Sequence, residues 1–172
     1  MIAVLSKRLA YRLKEIHPSH PISVEVLTYA LATIINVAGT IIVSLTVAAI
    51  LGQVLETILA MVAFAVLRAL SGGIHLKSSV ACILITSAGA NLIPLAAEYV
   101  TPAMLVTMSV ISMGLAAVFA TRKIENQTRI PRRFFPHLRV LSVLLIGTNL
   151  IIQSPIIAVT FFIQSILLIR RR

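Results

Sequence analysis

Leu27–Leu51, which reads LTYALATIINVAGTIIVSLTVAAIL, contains no charged residue. A run of that length crosses about 30 Å of hydrocarbon as one helix. This reading decides the fold class, and the rest of the chain repeats it. Outward from this run lie five more apolar segments: Val54–Leu70, Ser79–Ala97, Ala103–Ala120, Val140–Ile152 and Ile156–Ile169. The last two are short for a bilayer and are separated only by Gln153-Ser154-Pro155. They must borrow flanking residues, thin the bilayer, or pack as a tight hairpin on the other helices. The expectation is an all-α polytopic membrane protein of about six transmembrane helices. It forms a single domain over residues 1–172, with the bundle in 27–169.

Composition agrees. The chain is 59% hydrophobic and only 12% charged, with a mean hydropathy of +1.03; a soluble domain is about one quarter charged. Fifteen Lys and Arg against five Asp and Glu would suggest nucleic acid in a soluble protein. Here the basic residues sit in clusters between apolar runs, so membrane orientation accounts for them and no nucleic-acid partner is expected. Lys7, Arg8, Arg12 and Lys14 precede the first span, and Arg68 and Lys77 bracket the second connection. Arg122, Lys123, Arg129, Arg132, Arg133 and Arg139 crowd the fourth, and Arg170-Arg171-Arg172 end the chain. The connections at Gly52-Gln53, Glu98-Tyr99 and Gln153-Ser154 carry no Lys or Arg. Six spans with both termini in the cytoplasm place every positive side chain on one side, as the positive-inside rule requires.

Residues 2–16 carry their own period. Ile2, Leu5, Leu9, Leu13 and Ile16 recur every three to four residues, with the four basic residues mostly elsewhere on the wheel. That pattern predicts an amphipathic interfacial helix within 1–20, lying on anionic lipid. No cleavable signal peptide is expected, because the first long apolar run follows a basic stretch with no short core before it. His17-Pro18-Ser19-His20-Pro21 reads as a proline-punctuated linker; two histidines without a third ligand make no metal site. Asn36, Asn91, Asn149 and Gln164 fall inside spans and are expected to make interhelical hydrogen bonds.

The chemistry concentrates in the polar break between the second and third apolar segments. Arg68-Ala69-Leu70-Ser71-Gly72-Gly73-Ile74-His75-Leu76-Lys77-Ser78-Ser79-Val80-Ala81-Cys82 contains the only cysteine and one of four histidines, seven residues apart. A thiolate nucleophile needs a base, and Cys with His is the side-chain pairing that works near neutral pH. If the whole stretch were helical the two side chains would be roughly 10 Å apart, too far for a hydrogen bond. Gly72-Gly73 permits a tight turn that folds His75 back over the next helix. Ser78 or Ser79 is a good N-cap, which puts Cys82 in or beside the first helical turn, where the helix dipole favours an anion. Arg68 and Lys77 are the nearest cations.

Arg68, Gly72-Gly73, His75 and Cys82, in a small basic multi-span chain, resemble the signature of the accessory gene regulator B (AgrB) family. Those proteins are membrane cysteine endopeptidases that process a quorum-sensing propeptide. The resemblance implies that Cys82 is the nucleophile and His75 its base, with no metal and no cofactor. Arg68, Gly72, Gly73, Lys77, Ser78 and Ser79 would support the site or bind substrate, and Arg122 and Lys123 would draw an acidic tail. It also implies a bacterial cytoplasmic membrane location with the site facing the cytoplasm. The expected partners are a small amphipathic propeptide with an acidic C-terminal tail and anionic lipid, with a homodimer left open. Residues 120–131 depart from the family's Asn-Lys-Pro-like connection and keep only basic character and Pro131.

Two other classes compete: a small transporter or channel, and a non-enzymatic scaffold whose basic loops recruit an acidic partner. Intramembrane charge would mark a transporter, and no span centre carries Asp, Glu, Lys or Arg.

Overall fold

The computed structural model describes residues 2–17, 21–72, 78–121 and 131–169. They form seven α-helices and no strand: α1 Ile2–Ile16, α2 Val24–Leu51, α3 Val54–Ser71, α4 Ser79–Ala97, α5 Pro102–Phe119, α6 Phe135–Ile152 and α7 Pro155–Leu168. A single 3-10 turn, Arg132–Phe134, leads into α6. The protein is an all-α polytopic membrane protein. α2 to α6 are each long and apolar enough to cross a bilayer, and α7 is a shorter apolar helix.

Local chemistry fixes the ends. Ser23, Ser78, Thr101 and Ser154 each accept a hydrogen bond from the amide three residues on, which starts α2, α4, α5 and α7. Pro102 and Pro155 then occupy first-turn positions that need no donor. α2 stops at Gly52, in the left-handed region at φ 71°, while the Gln53 amide reaches back to the Ala48 carbonyl. The connection between α6 and α7 is held by Asn149. Its Nδ2 donates to the Ser154 carbonyl at 3.2 Å and its Oδ1 accepts from the Ser154 amide at 3.2 Å.

Packing is the inverse of a soluble core. The buried side chains are mostly small: Ala48, Ala60, Ala63, Ala90, Ala116 and Ala120, with Ser44, Ser87, Ser109, Ser112, Ser142 and Ser165. Large apolar side chains point outward, with Ile50 80%, Leu55 77% and Ile151 87% exposed. In water such a surface would aggregate; in lipid it is solvated, while small residues let helix backbones approach closely. One cluster, Ala63, Leu67, Ala116, Ala120, Ile146 and Phe161, joins α3, α5, α6 and α7. A second, Ala60, Ile93 and Val159, joins α3, α4 and α7.

The last two segments resolve differently from one another. α6 borrows Phe135–Arg139 to reach spanning length. α7 stays short but lies against α3, α4 and α5 and makes few contacts with α6, so the two are not a self-packed hairpin. α1 packs on α2 through Ser6 and Ala10, which are fully buried. That contact leaves Leu5, Leu9, Leu13 and Ile16 exposed as an apolar stripe beside the bundle. Lys14 Nζ donates to the Ile22 carbonyl at 3.3 Å, tying the end of α1 to the entry of α2.

Candidate active site

Alternation of the helices brings the ends of α3, α5 and α7 and the starts of α4 and α6 to one end of the bundle. Arg68 stands on the last turn of α3, half-buried, with its guanidinium carbon 5.6 Å from the centroid of the Phe64 ring. α3 then closes at Gly72, whose amide donates to the Arg68 carbonyl at 2.9 Å. Gly72 has φ 79° and ψ −162°, a region open essentially to glycine alone, so the sequence terminates this helix where only that residue type fits.

Across from it α4 begins. Ser78 is the N-cap: its Oγ accepts from the Ala81 amide at 3.4 Å and its carbonyl from the Cys82 amide at 3.0 Å. Cys82 therefore sits at the end of the first turn, half-buried, its backbone donor already committed. The amides of Ser79 and Val80 have no acceptor among the described residues, and they point out of the helix start with the positive end of its dipole. Arg68 on the last turn of α3 and Cys82 on the first turn of α4 thus stand at the same end of the bundle. The next residue, Ile83, packs against Gly39 of α2, where an added Cβ would stand 2.9 Å from Ile83 Cδ1.

Of the residues expected to form the site, Arg68, Gly72, Ser78, Ser79 and Cys82 are placed together at this end. Gly73, His75, Lys77, Arg122 and Lys123 lie outside the described residues. Ser78, not Ser79, is the cap.

Gln164 was anticipated only as an interhelical bonder, and it proves to belong to this end of the bundle. Its side chain, fully buried on α7, donates from Nε2 to the Gly72 carbonyl at 2.8 Å and to Ser71 Oγ at 3.3 Å. The Ser71 carbonyl in turn accepts from the Thr121 amide at 2.9 Å, at the end of α5. The signal in the sequence was one amide in an otherwise apolar short helix. Asn91 also bonds between helices, whereas Asn149 braces the α6–α7 connection and Asn36 Oδ1 is buried without a partner among the described residues.

No curated protein and no solved structure matches the chain. The accessory gene regulator B model matches residues 6–169, from the first turns of α1 to the end of α7. A match over nearly the whole length places this chain in the accessory gene regulator B (AgrB) family.

Proposed function

We propose that this protein is a membrane cysteine endopeptidase that cleaves the C-terminal tail from a quorum-sensing propeptide and cyclises what remains. The observation that carries the reading is the position of Cys82: the first turn of α4, capped by Ser78, at the bundle end where α3 closes with Arg68 on its last turn. Membership in the AgrB family ties the chain to processing of a signalling peptide.

In this reading His75, three residues beyond the Gly72 turn, takes the thiol proton. The thiolate attacks a backbone carbonyl of the propeptide. The Ser79 and Val80 amides are the donors left to stabilise the oxyanion, since those of Ala81 and Cys82 are held by Ser78. Collapse breaks the peptide bond, and the tail departs as an amine carrying the proton from His75. An acyl thioester remains on Cys82. A propeptide side-chain thiol or hydroxyl then attacks that thioester, giving a thiolactone or lactone and returning Cys82 to the thiol. A thiol acceptor exchanges one thioester for another and needs no ATP.

Charge supports the substrate class. In the sequence the Lys and Arg residues fall in the N-terminal stretch, around the connections after the second and fourth apolar segments, and at the C-terminal stretch, Arg122 and Lys123 among them, and such a field steers an acidic peptide tail toward the site. The same asymmetry supports a cytoplasmic orientation of the Cys82 end and of both termini in a bacterial plasma membrane. The exposed stripe Leu5, Leu9, Leu13 and Ile16 of α1, flanked by Lys7, Arg8 and Arg12, suits an anionic lipid surface.

Co-expression with the propeptide tests the assignment. Cys82→Ala and His75→Ala should each abolish cleavage while inserting normally; tail release at the wild-type rate by either would overturn its role. Orientation is tested in a Cys82→Ala background. Cysteine in place of the exposed Tyr99 should react with a membrane-impermeant thiol reagent in intact cells, and cysteine in place of Ser78 should not. The opposite pattern would reverse the topology.

A further inference from the structure

Gln164 has an arrangement that packing alone does not require. A leucine on this face of α7 would pack against α3 without bringing a polar amide into the bilayer. Gln164 instead is fully buried, with two hydrogen bonds made and one atom, Oε1, left without a partner among the described residues. The orientation of the amide is fixed by chemistry, because the Gly72 carbonyl can only accept and so the nitrogen must face it. An orphaned buried acceptor costs about 1–3 kcal/mol. Both hydrogen bonds its amide nitrogen makes go to one place, the last turn of α3.

The bonds converge on that turn from two directions. From α7, Gln164 holds the Gly72 carbonyl and the Ser71 hydroxyl. From the end of α5, the Thr121 amide holds the Ser71 carbonyl. Thr121 is itself buried and lies in the left-handed region at φ 67°, so the chain leaving α5 is bent to make the contact. Ser71 Oγ closes the set by donating to the Leu67 carbonyl at 2.7 Å. Arg68 is one residue beyond Leu67, and its own carbonyl accepts from Gly72.

We propose that Gln164 is a positioning residue of the Cys82 site: by clamping Ser71 and Gly72 it fixes the last turn of α3, and with it Arg68, against the first turn of α4. This rests on the reading of Cys82 as the nucleophile. Gln164 touches neither the thiol nor the substrate; it acts through the turn. Its companion Thr121 ties the same turn to α5, so that helix ends from three different spans are registered around one glycine.

Cys82 is the only cysteine, so alkylation by iodoacetamide reports a single site in the full chain in membranes. Rates are measured from pH 6 to pH 9 for wild type, Arg68→Gln, Gln164→Met and the double variant. Methionine keeps the length of glutamine and removes its N–H groups. Gln164→Met should slow alkylation roughly threefold to tenfold at pH 7, the size of one screened charge contribution. It should move the pH profile in the same direction as Arg68→Gln, and the double variant should go no further than Arg68→Gln alone. Propeptide cleavage should lose kcat with KM unchanged. If Gln164→Met fails to insert, Gln164→Asn carries the test: it keeps the amide but is one methylene too short to reach the Gly72 carbonyl. A wild-type profile in the Gln164 variant, or full additivity with Arg68→Gln, would overturn the proposal. Neither result touches the nucleophile, which stands or falls with cleavage by Cys82→Ala.

Discussion

Two buried polar centres sit at opposite ends of this bundle, and they are satisfied differently. At the end away from Cys82, Asn91 of α4 has both polar atoms of its side chain bonded. Nδ2 donates to the Ser44 carbonyl at 3.2 Å and the Ser87 carbonyl at 2.9 Å, and Oδ1 accepts from Thr57 Oγ1 at 3.4 Å. Gln53 Nε2 adds a bond to the Asn91 carbonyl at 2.8 Å. α2, α3 and α4 are thereby pinned through Asn91, while the Ser44 hydroxyl beside it has no partner among the described residues. At the Cys82 end, Gln164 is buried too, but its Oε1 has no partner among the described residues and its bonds go to the last turn of a helix. An amide with both polar atoms bonded specifies a structure. One left half bonded at a strained turn marks a place where the fold accepts a cost for the sake of position.

The comparison breaks most sharply at Gly72. Any residue with a Cβ at φ 79° and ψ −162° carries about 1–3 kcal/mol of strain. Gly72→Ala should therefore release the turn from Gln164 and reduce propeptide cleavage by roughly an order of magnitude or more, with membrane insertion unchanged. Cleavage at the wild-type rate would show that the turn does not position the site.

Asn91→Leu is the matched change at the other end. Losing interhelical bonds inside the membrane costs about 1–2 kcal/mol, so thermal stability in detergent should fall while the iodoacetamide rate at Cys82, a distant and independent site, stays within about twofold of wild type. A fall in stability without a change at Cys82 sharpens the division of labour. A large change at Cys82 would mean that the two ends are coupled through α4, and the division would be lost.

How much of this was legible in the sequence follows the same line. Hydropathy placed α3, α4, α5 and α7 to within a residue or so, because a helix is how lipid accommodates a predominantly apolar run. α2 begins earlier than Leu27, at Val24, since Ser23 caps it and Glu25 sits favourably in its first turn. α6 begins earlier than Val140, at Phe135, because Pro136 is tolerated in a first turn and Arg139 can lie on the helix near its end. Ser78, the glycine turn and the position of Cys82 on α4 could be read because they are local. The clamp could not. Gln164 and Gly72 are far apart in the chain, and nothing in a periodicity says that short α7 docks against α3 rather than beside α6. Residues placed by tertiary packing are silent in a single sequence.

The smallest expected effect is at Gly39, where α2 meets the residue after Cys82. An alanine Cβ there meets only the Ile83 side chain, closest at Cδ1, the far end of a flexible side chain that can turn away. Gly39→Ala should change neither stability by more than about 0.5 kcal/mol nor the alkylation rate measurably. A clear loss of either would show that α4 has no room to adjust beside Cys82.

The central claim is that Cys82 carries the propeptide as a covalent intermediate, and trapping that intermediate tests it most directly. Wild-type protein mixed with excess propeptide and quenched in acid should yield a Cys82-containing fragment heavier by the propeptide without its tail, and hydroxylamine should remove the added mass. Cys82→Ala should give no adduct and no cleavage. Propeptide cleaved by wild-type protein with no hydroxylamine-sensitive adduct at Cys82, together with cleavage by Cys82→Ala, would contradict the account.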